Sequence, residues 1–310
     1  MLKKATTTLL VMVCLGVISA SFSPALVAAG KPVGAIVDGE NIWVANNDEN
    51  TLEKIRSSDG TILGVYPAPA GPLRLIHEGE NIWTASNSGM VMKVRAKDGT
   101  VLGSYPVGSP ASGIAFDGEN VWVSNTSVDK VTKLRATDGS IVGVYAVGKE
   151  PDGLLFDGQY IWVANSGGNT VTKLKPGDGS AAGTYKVGAA PTEMAFDGQN
   201  IWVTNYGAGS VTKLRASDGA VVGTYPVGSF PRAILFDKTN IWVTTYGDNK
   251  VAKLRASDGS TVGTYAVGRD PAEIAFDGTN IWVTNYGGGS VTKLRASDGS
   301  TVATFPVTRP

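Results

Sequence analysis

His77 is the only histidine in 310 residues, so any imidazole acid, base or metal ligation must pass through it. It stands where Phe116, Phe156, Phe196, Phe236 and Phe276 recur, which reads as a packed substitution rather than a catalyst. Cys14 is the only cysteine and falls in the N-terminal leader, so the mature chain offers no thiolate, disulfide or cysteine metal site. Among the acids, Glu193 and Glu273 are the pair that a metal-assisted reaction would use. Such a site would take magnesium or calcium on carboxylates with few or no histidines. A further carboxylate array, Asp38, Asp117, Asp157, Asp197, Asp237 and Asp277 with Glu78, recurs too regularly for a catalytic pair that a molecule needs once. It reads as side chains capping their own turns. Paired bases such as Lys133 and Arg135, Lys213 and Arg215, or Lys293 and Arg295 suggest a polyanion belt. The simpler reading is that their stems cover surface while their heads meet turn carboxylates. Gly287-Gly288-Gly289 lacks a following helix start or Gly-Lys-Ser/Thr and reads as a strand connection, not a phosphate cradle.

The elements that position these residues follow from the tryptophans. Trp43, Trp83, Trp122, Trp162, Trp202, Trp242 and Trp282 are 40 residues apart, except for one interval of 39 after Trp83. One copy, from Pro271, reads PAEIAFDGTN, IWVTNYGGGS, VTKLRASDGS, TVATFPV: four short apolar runs divided by turn residues. Asp298-Gly299 and its six counterparts mark a hairpin between the third and fourth runs. The runs last five to seven residues and favour Val, Ile, Thr, Tyr and Trp, which is strand and not helix composition. The expected fold is all-β, a seven-bladed β-propeller with four antiparallel strands per blade and one ~40-residue repeat per blade. The first copy begins with a first strand and the last ends with a fourth, so blade one is expected to pack directly on blade seven, with the seam as the weak point.

Lys3 and Lys4, the apolar Leu9 to Ile18 and the small residues of Val27-Ala28-Ala29 predict a secretory signal over residues 1–29, with the propeller filling 30–310. Losing the leader removes two lysines and leaves 25 basic against 27 acidic residues. This near-neutral balance gives no reason to expect nucleic acid as a partner. No membrane insertion is expected after cleavage, and the location is extracytoplasmic: periplasmic, secreted or cell-surface.

Comparing the seven copies with one another separates scaffold from special positions. Just after the repeated Pro the copies differ: Val33-Gly34, Leu73-Arg74, Ser112-Gly113, Asp152-Gly153, Thr192-Glu193, Arg232-Ala233 and Ala272-Glu273. If the first run is innermost, these form a ring of unlike residues at a channel mouth, and variation on a uniform ring suggests a site. Tyr206, Tyr246 and Tyr286 add an aromatic arc on blades five to seven that can stack on a sugar or peptide side chain. The candidate ligand-binding residues are therefore Arg74, Asp152, Glu193, Arg232, Glu273, Tyr206, Tyr246 and Tyr286. No residue is assigned as catalytic and none as a resident metal ligand.

The ordered motif IWVTN, VTKLRASDG, VGTYPVG, PAEIAFDG resembles the YVTN family of β-propeller repeat proteins, with Ile-Trp where that family has Tyr. The resemblance covers nearly all of the mature chain and implies an exported or surface-layer-associated protein with a binding role. The repeat is also similar to that of streptogramin lyases, whose blades carry a Trp-Phe-Thr-Glu run and whose chemistry needs a catalytic histidine and magnesium. This sequence departs there, because its histidine aligns with a core Phe and its runs end in Asn, as at Asn165 and Asn205. The expectation is an exported, non-catalytic binding or scaffold module for a protein, peptide or glycan of the cell envelope, without a cofactor. The alternative is a metal-assisted lyase or lactone hydrolase using magnesium or calcium. A structural role in a surface layer is a third reading.

Overall fold

The computed structural model describes residues 30–307, so the leader and Cys14 lie outside the described residues. Twenty-eight strands form seven antiparallel four-stranded sheets, each built from four consecutive strands. Blade one comprises Pro32–Asp38, Asn41–Asn46, Thr51–Arg56 and Ile62–Pro67, and every later blade repeats that order. The expected seven-bladed propeller is the observed fold. Departing from the all-strand expectation, four three-residue 3-10 turns follow the second strands of blades three to six. Among the described residues, no helix is long and apolar enough to cross a membrane.

Burial follows strand position. The second strand is buried along nearly its whole length because both of its faces meet neighbouring blades: Ile201, Trp202 and Val203 are fully buried, and so are Thr204 and Asn205. The fourth strand alternates exposed and half-buried residues at the outer rim. First strands of successive blades contact one another around the axis, so the first run is innermost.

The invariant polar residues build the joints between blades. Asp197 Oδ1 accepts from the backbone N–H groups of Gln199 and Asn200 while Oδ2 accepts from Trp202 Nε1 at 2.8 Å. The turn-capping reading thus holds for Asp117, Asp157, Asp197, Asp237 and Asp277 but not for Asp38 and Glu78, which make no such backbone bond among the described residues. The carboxylates have an added duty: each accepts from the buried indole N–H of its blade, which would otherwise be a desolvated donor. Opposition between that carboxylate's burial and these bonds leaves Asp197 below the ordinary range. The base pairs divide their roles. Arg215 bridges to Asp218 on its own exposed hairpin, as expected. Lys213 does not: its buried Nζ lies 4.7 Å above the Trp202 ring and donates to the Ala256 carbonyl of the next blade at 2.8 Å. That placement corrects the expectation for Lys213, whereas Lys54 and Lys93 do meet the turn carboxylates Asp38 and Glu78, at 3.8 and 2.7 Å. Lys213 and Arg215 share a face of the third strand, but Lys213 lies within it and is buried while Arg215 ends it and is exposed beside the turn. Lys54, Lys93, Lys133, Lys173, Lys213, Lys253 and Lys293 all donate to a backbone carbonyl of the next blade.

The ring closes without strand exchange. Lys293 Nζ donates to Ser57 O at 2.7 Å, the same bond carried from blade seven to blade one. Gly30 N donates to Val307 O at 3.2 Å. Gly60 of the first hairpin, at φ +76°, lies against the Phe305 ring, as Gly139 at φ +71° lies against Tyr105. The seam therefore carries the joint found elsewhere, and nothing in these contacts singles it out as weaker.

Candidate functional site

Each first strand is interrupted just after its first residue, a Pro in every blade but the third, where Ala111 stands. In blade five Pro191 pairs with Asn205 and Met194 with Val203, so Thr192 and Glu193 together face one residue of the second strand. Equivalent bulges occur after Pro72, Pro151, Pro231 and Pro271. Side chains in a strand alternate faces, but a bulge re-aims them. The freed N–H groups need acceptors, which hydroxyl residues of the second strand supply: Thr204 Oγ1 takes Glu193 N at 2.9 Å and Thr284 Oγ1 takes Glu273 N at 2.8 Å. The bulges bring the charged residues of five blades to the axis.

There, Arg74 plugs the channel. Its Nη1 donates to Asp152 Oδ1 at 2.8 Å and to the Ser112 carbonyl at 3.0 Å, and its Nε forms an ion pair with Glu193. Blades two, four and five are thus tied across the axis. Glu273 stands beside this cluster; its Oε1 accepts the Ile274 N–H at 3.0 Å, and no cation pairs with it among the described residues. Burial, opposed by Arg74 and reinforced by the other two acids, pushes Glu193 up to about 8. Burial likewise raises Glu273, against the pull of Arg74 and Arg232. Burial also works against the charge on Arg74, but Glu193, Asp152 and Glu273 outweigh it and hold the guanidinium protonated above its ordinary range.

The plug divides the channel into two chambers. The smaller, about 180 Å³, opens on the face of the inter-blade loops and includes Ser112, Asp152 and Arg232 with Arg74 and Glu273. The larger, about 370 Å³, lies on the other side and is walled by Ile36, Leu75, Ile114, Leu154, Leu235 and Ile274, with Arg74, Glu193 and Glu273 as its polar floor. Among the described residues, no group of three or more His, Cys, Asp or Glu is placed to hold one metal ion.

The tyrosines gather on the loop face. Tyr206 stacks on Phe230 at 5.0 Å between centroids, and Lys31 Nζ sits 5.3 Å over Tyr286 while bridging to Asp48 at 2.6 Å. Burial, followed by the charge of Asp270, raises the Tyr246 hydroxyl, with Arg232 opposing and Tyr206 and Tyr286 adding to the rise. The arc and the small chamber thus adjoin through Arg232. Sequence comparison missed Phe230, Lys31 and Asp270, which lie in the loops before the repeated Pro. The signal was present in Phe230, the one aromatic where Glu150, Ala190 and Asp270 stand in other blades. All four adopt φ between 50° and 55°, a region unfavourable for a bulky side chain, and Phe230 is nonetheless exposed. His77 is not in either group; its Nε2 donates to the Val37 carbonyl of the preceding blade at 2.5 Å, a packing role.

The model of the family described as "Outer membrane protein assembly factor BamB" matches residues 78–234, just over half of the chain. The chain belongs to this family. Its BamB-family propeller superposes on a streptogramin B lyase structure with a TM-score of 0.73 at 20% identity, covering 84% of this chain and 93% of that one. Kuenenia stuttgartiensis hydrazine synthase gives a TM-score of 0.77 at 15% identity, covering 91% of this chain and 100% of that one. At these identities the likeness is of fold alone. No curated protein matches the sequence.

Proposed function

We propose that this chain is an exported, non-catalytic binding module of the cell envelope that holds a protein or peptide segment on the face of its inter-blade loops. The observation that carries this reading is the arc of Tyr206, Phe230, Tyr246 and Tyr286 around the Arg232 end of the channel. Half-exposed aromatic rings with an Arg at their centre are the residue types that anchor interfaces. The family description, an assembly factor for outer membrane proteins, favours a polypeptide over a glycan as ligand. The leader over residues 1–29 and the YVTN-like repeat agree with an extracytoplasmic location. The lyase-type alternative has less support, because Glu193 is committed to Arg74 and His77 Nε2 to the Val37 carbonyl.

The test is capture from a cell-envelope fraction by the purified protein, set against a Tyr206→Ala, Tyr246→Ala, Tyr286→Ala variant. A control, Arg135→Ala, alters an exposed side chain on a hairpin of the opposite face. Polypeptide partners retained by the control and lost by the triple variant are expected. Equal capture by all three proteins, or none by the wild type, would overturn the proposal.

A further inference from the structure

The larger chamber is not part of the loop-face site. It lies beyond the Arg74 plug, its walls are aliphatic, and its volume of about 370 Å³ suits a small molecule. Its floor is electrostatically unbalanced. Arg74 is the only cation lining it, and that guanidinium already serves Asp152 at 2.8 Å and Glu193 in an ion pair. Glu273 lines the same floor without an ion pair, and Arg232 lines only the chamber on the far side. A buried carboxyl beside apolar walls either keeps its proton or takes a cation. Glu193 and Glu273 both meet this condition, and both are held toward the protonated form.

We propose that this chamber is a binding site for a small amphipathic amine, an aliphatic body with one ammonium head, seated with its head on Glu273, the floor acid that Arg74 does not pair, and its body among Ile36, Leu75, Ile114, Leu154 and Leu235. The ammonium supplies the positive charge that Glu273 lacks, with N–H donors for both of its oxygens. The body displaces water from aliphatic walls. A carboxylate head would instead add a further negative charge to a floor that already carries more acids than bases.

The experiment is calorimetric titration of the purified protein with n-butylamine, n-hexylamine and n-octylamine, alongside n-hexanol and hexanoate. Amine affinity should rise about fourfold per added methylene until the chamber fills. Hexylamine should bind at least tenfold more tightly than hexanol or hexanoate. Glu273→Gln, nearly the same size and shape, should remove that advantage while leaving hexanol unchanged. Hexanoate binding as well as hexylamine, amine affinity unchanged in a folded Glu273→Gln protein, or no binding by any probe would each overturn the proposal. If Glu273→Gln fails to fold, the ranking of the three six-carbon heads on the wild-type protein still decides the matter. The result is independent of the loop-face capture assay, which reads residues on the other side of the plug.

Discussion

Arg74→Met is the substitution from which the channel cluster can be measured most directly. Methionine keeps much of the aliphatic stem and removes the guanidinium, so the Asp152 contact at 2.8 Å, the Glu193 ion pair and the bond to the Ser112 carbonyl are all lost. Deleting one partner of a buried ion pair leaves the other uncompensated, at a cost of about 3–5 kcal/mol. For a chain of this size that corresponds to a fall in Tm of roughly 5–9 °C. The loss should depend on pH. In the wild type, burial raises Glu193 from an ordinary 4.5 to about 8, so the folded state binds this proton more tightly than the unfolded state. Its favourable contribution is complete below the unfolded value and is lost as pH rises through the window from 4.5 to 8. Arg74 is the group that pulls Glu193 and Glu273 downward, and without it both rise further. The variant should therefore be most impaired at pH 8 and recover toward the wild type at pH 5, below the raised Glu193 value. Calorimetric melting of the two proteins at pH 5, 6.5 and 8 reads this directly. A drop of less than about 2 °C at pH 8, or a drop equal at pH 5 and pH 8, would refute the account of the cluster as a buried charge balance.

Three further outcomes are expected. Lys213→Met should lower unfolding free energy by about 1–3 kcal/mol in urea titration, because the Ala256 carbonyl loses its donor and Trp202 its cation; an unchanged midpoint would show that the joint does not use the lysine. Gly139→Ala places a methyl against Tyr105 at φ +71°, and Gly60→Ala does the same against Phe305 at the seam. Each should cost about 2 kcal/mol or more, and equally; a Gly60→Ala cost below half that of Gly139→Ala would mark the seam as the looser joint. Magnesium, calcium and EDTA should each leave the melting temperature within roughly 1 °C, whereas a stoichiometric ion with a clear stabilisation would favour the metal-assisted reading.

The architecture is legible in the order of residues alone. Seven tryptophans at a near-constant interval, four short runs per interval and an Asp-Gly before each last run leave few folds other than a ring of four-stranded blades. Repetition is what made this legible, since positions needed by every blade are written seven times. The same comparison located the charged ring, because Arg74, Asp152, Glu193, Arg232 and Glu273 break an otherwise uniform pattern. It could not say that they meet. Arg74, Glu193 and Glu273 hold the third place of their strands and Asp152 and Arg232 the second, and strict alternation would send the two sets to opposite faces. Only the bulges after the repeated Pro bring both sets to the axis, and only the closed ring sets Arg74 of blade two against Asp152 of blade four and Glu193 of blade five. The lysines teach the same lesson, since an amine that finds its partner 43 residues away on the next blade has no local signature. Contacts within a blade follow from spacing along the chain, while contacts between blades depend on the angle at which the sheets pack. The division of the channel into a polar mouth and an aliphatic chamber was therefore decided by tertiary structure alone.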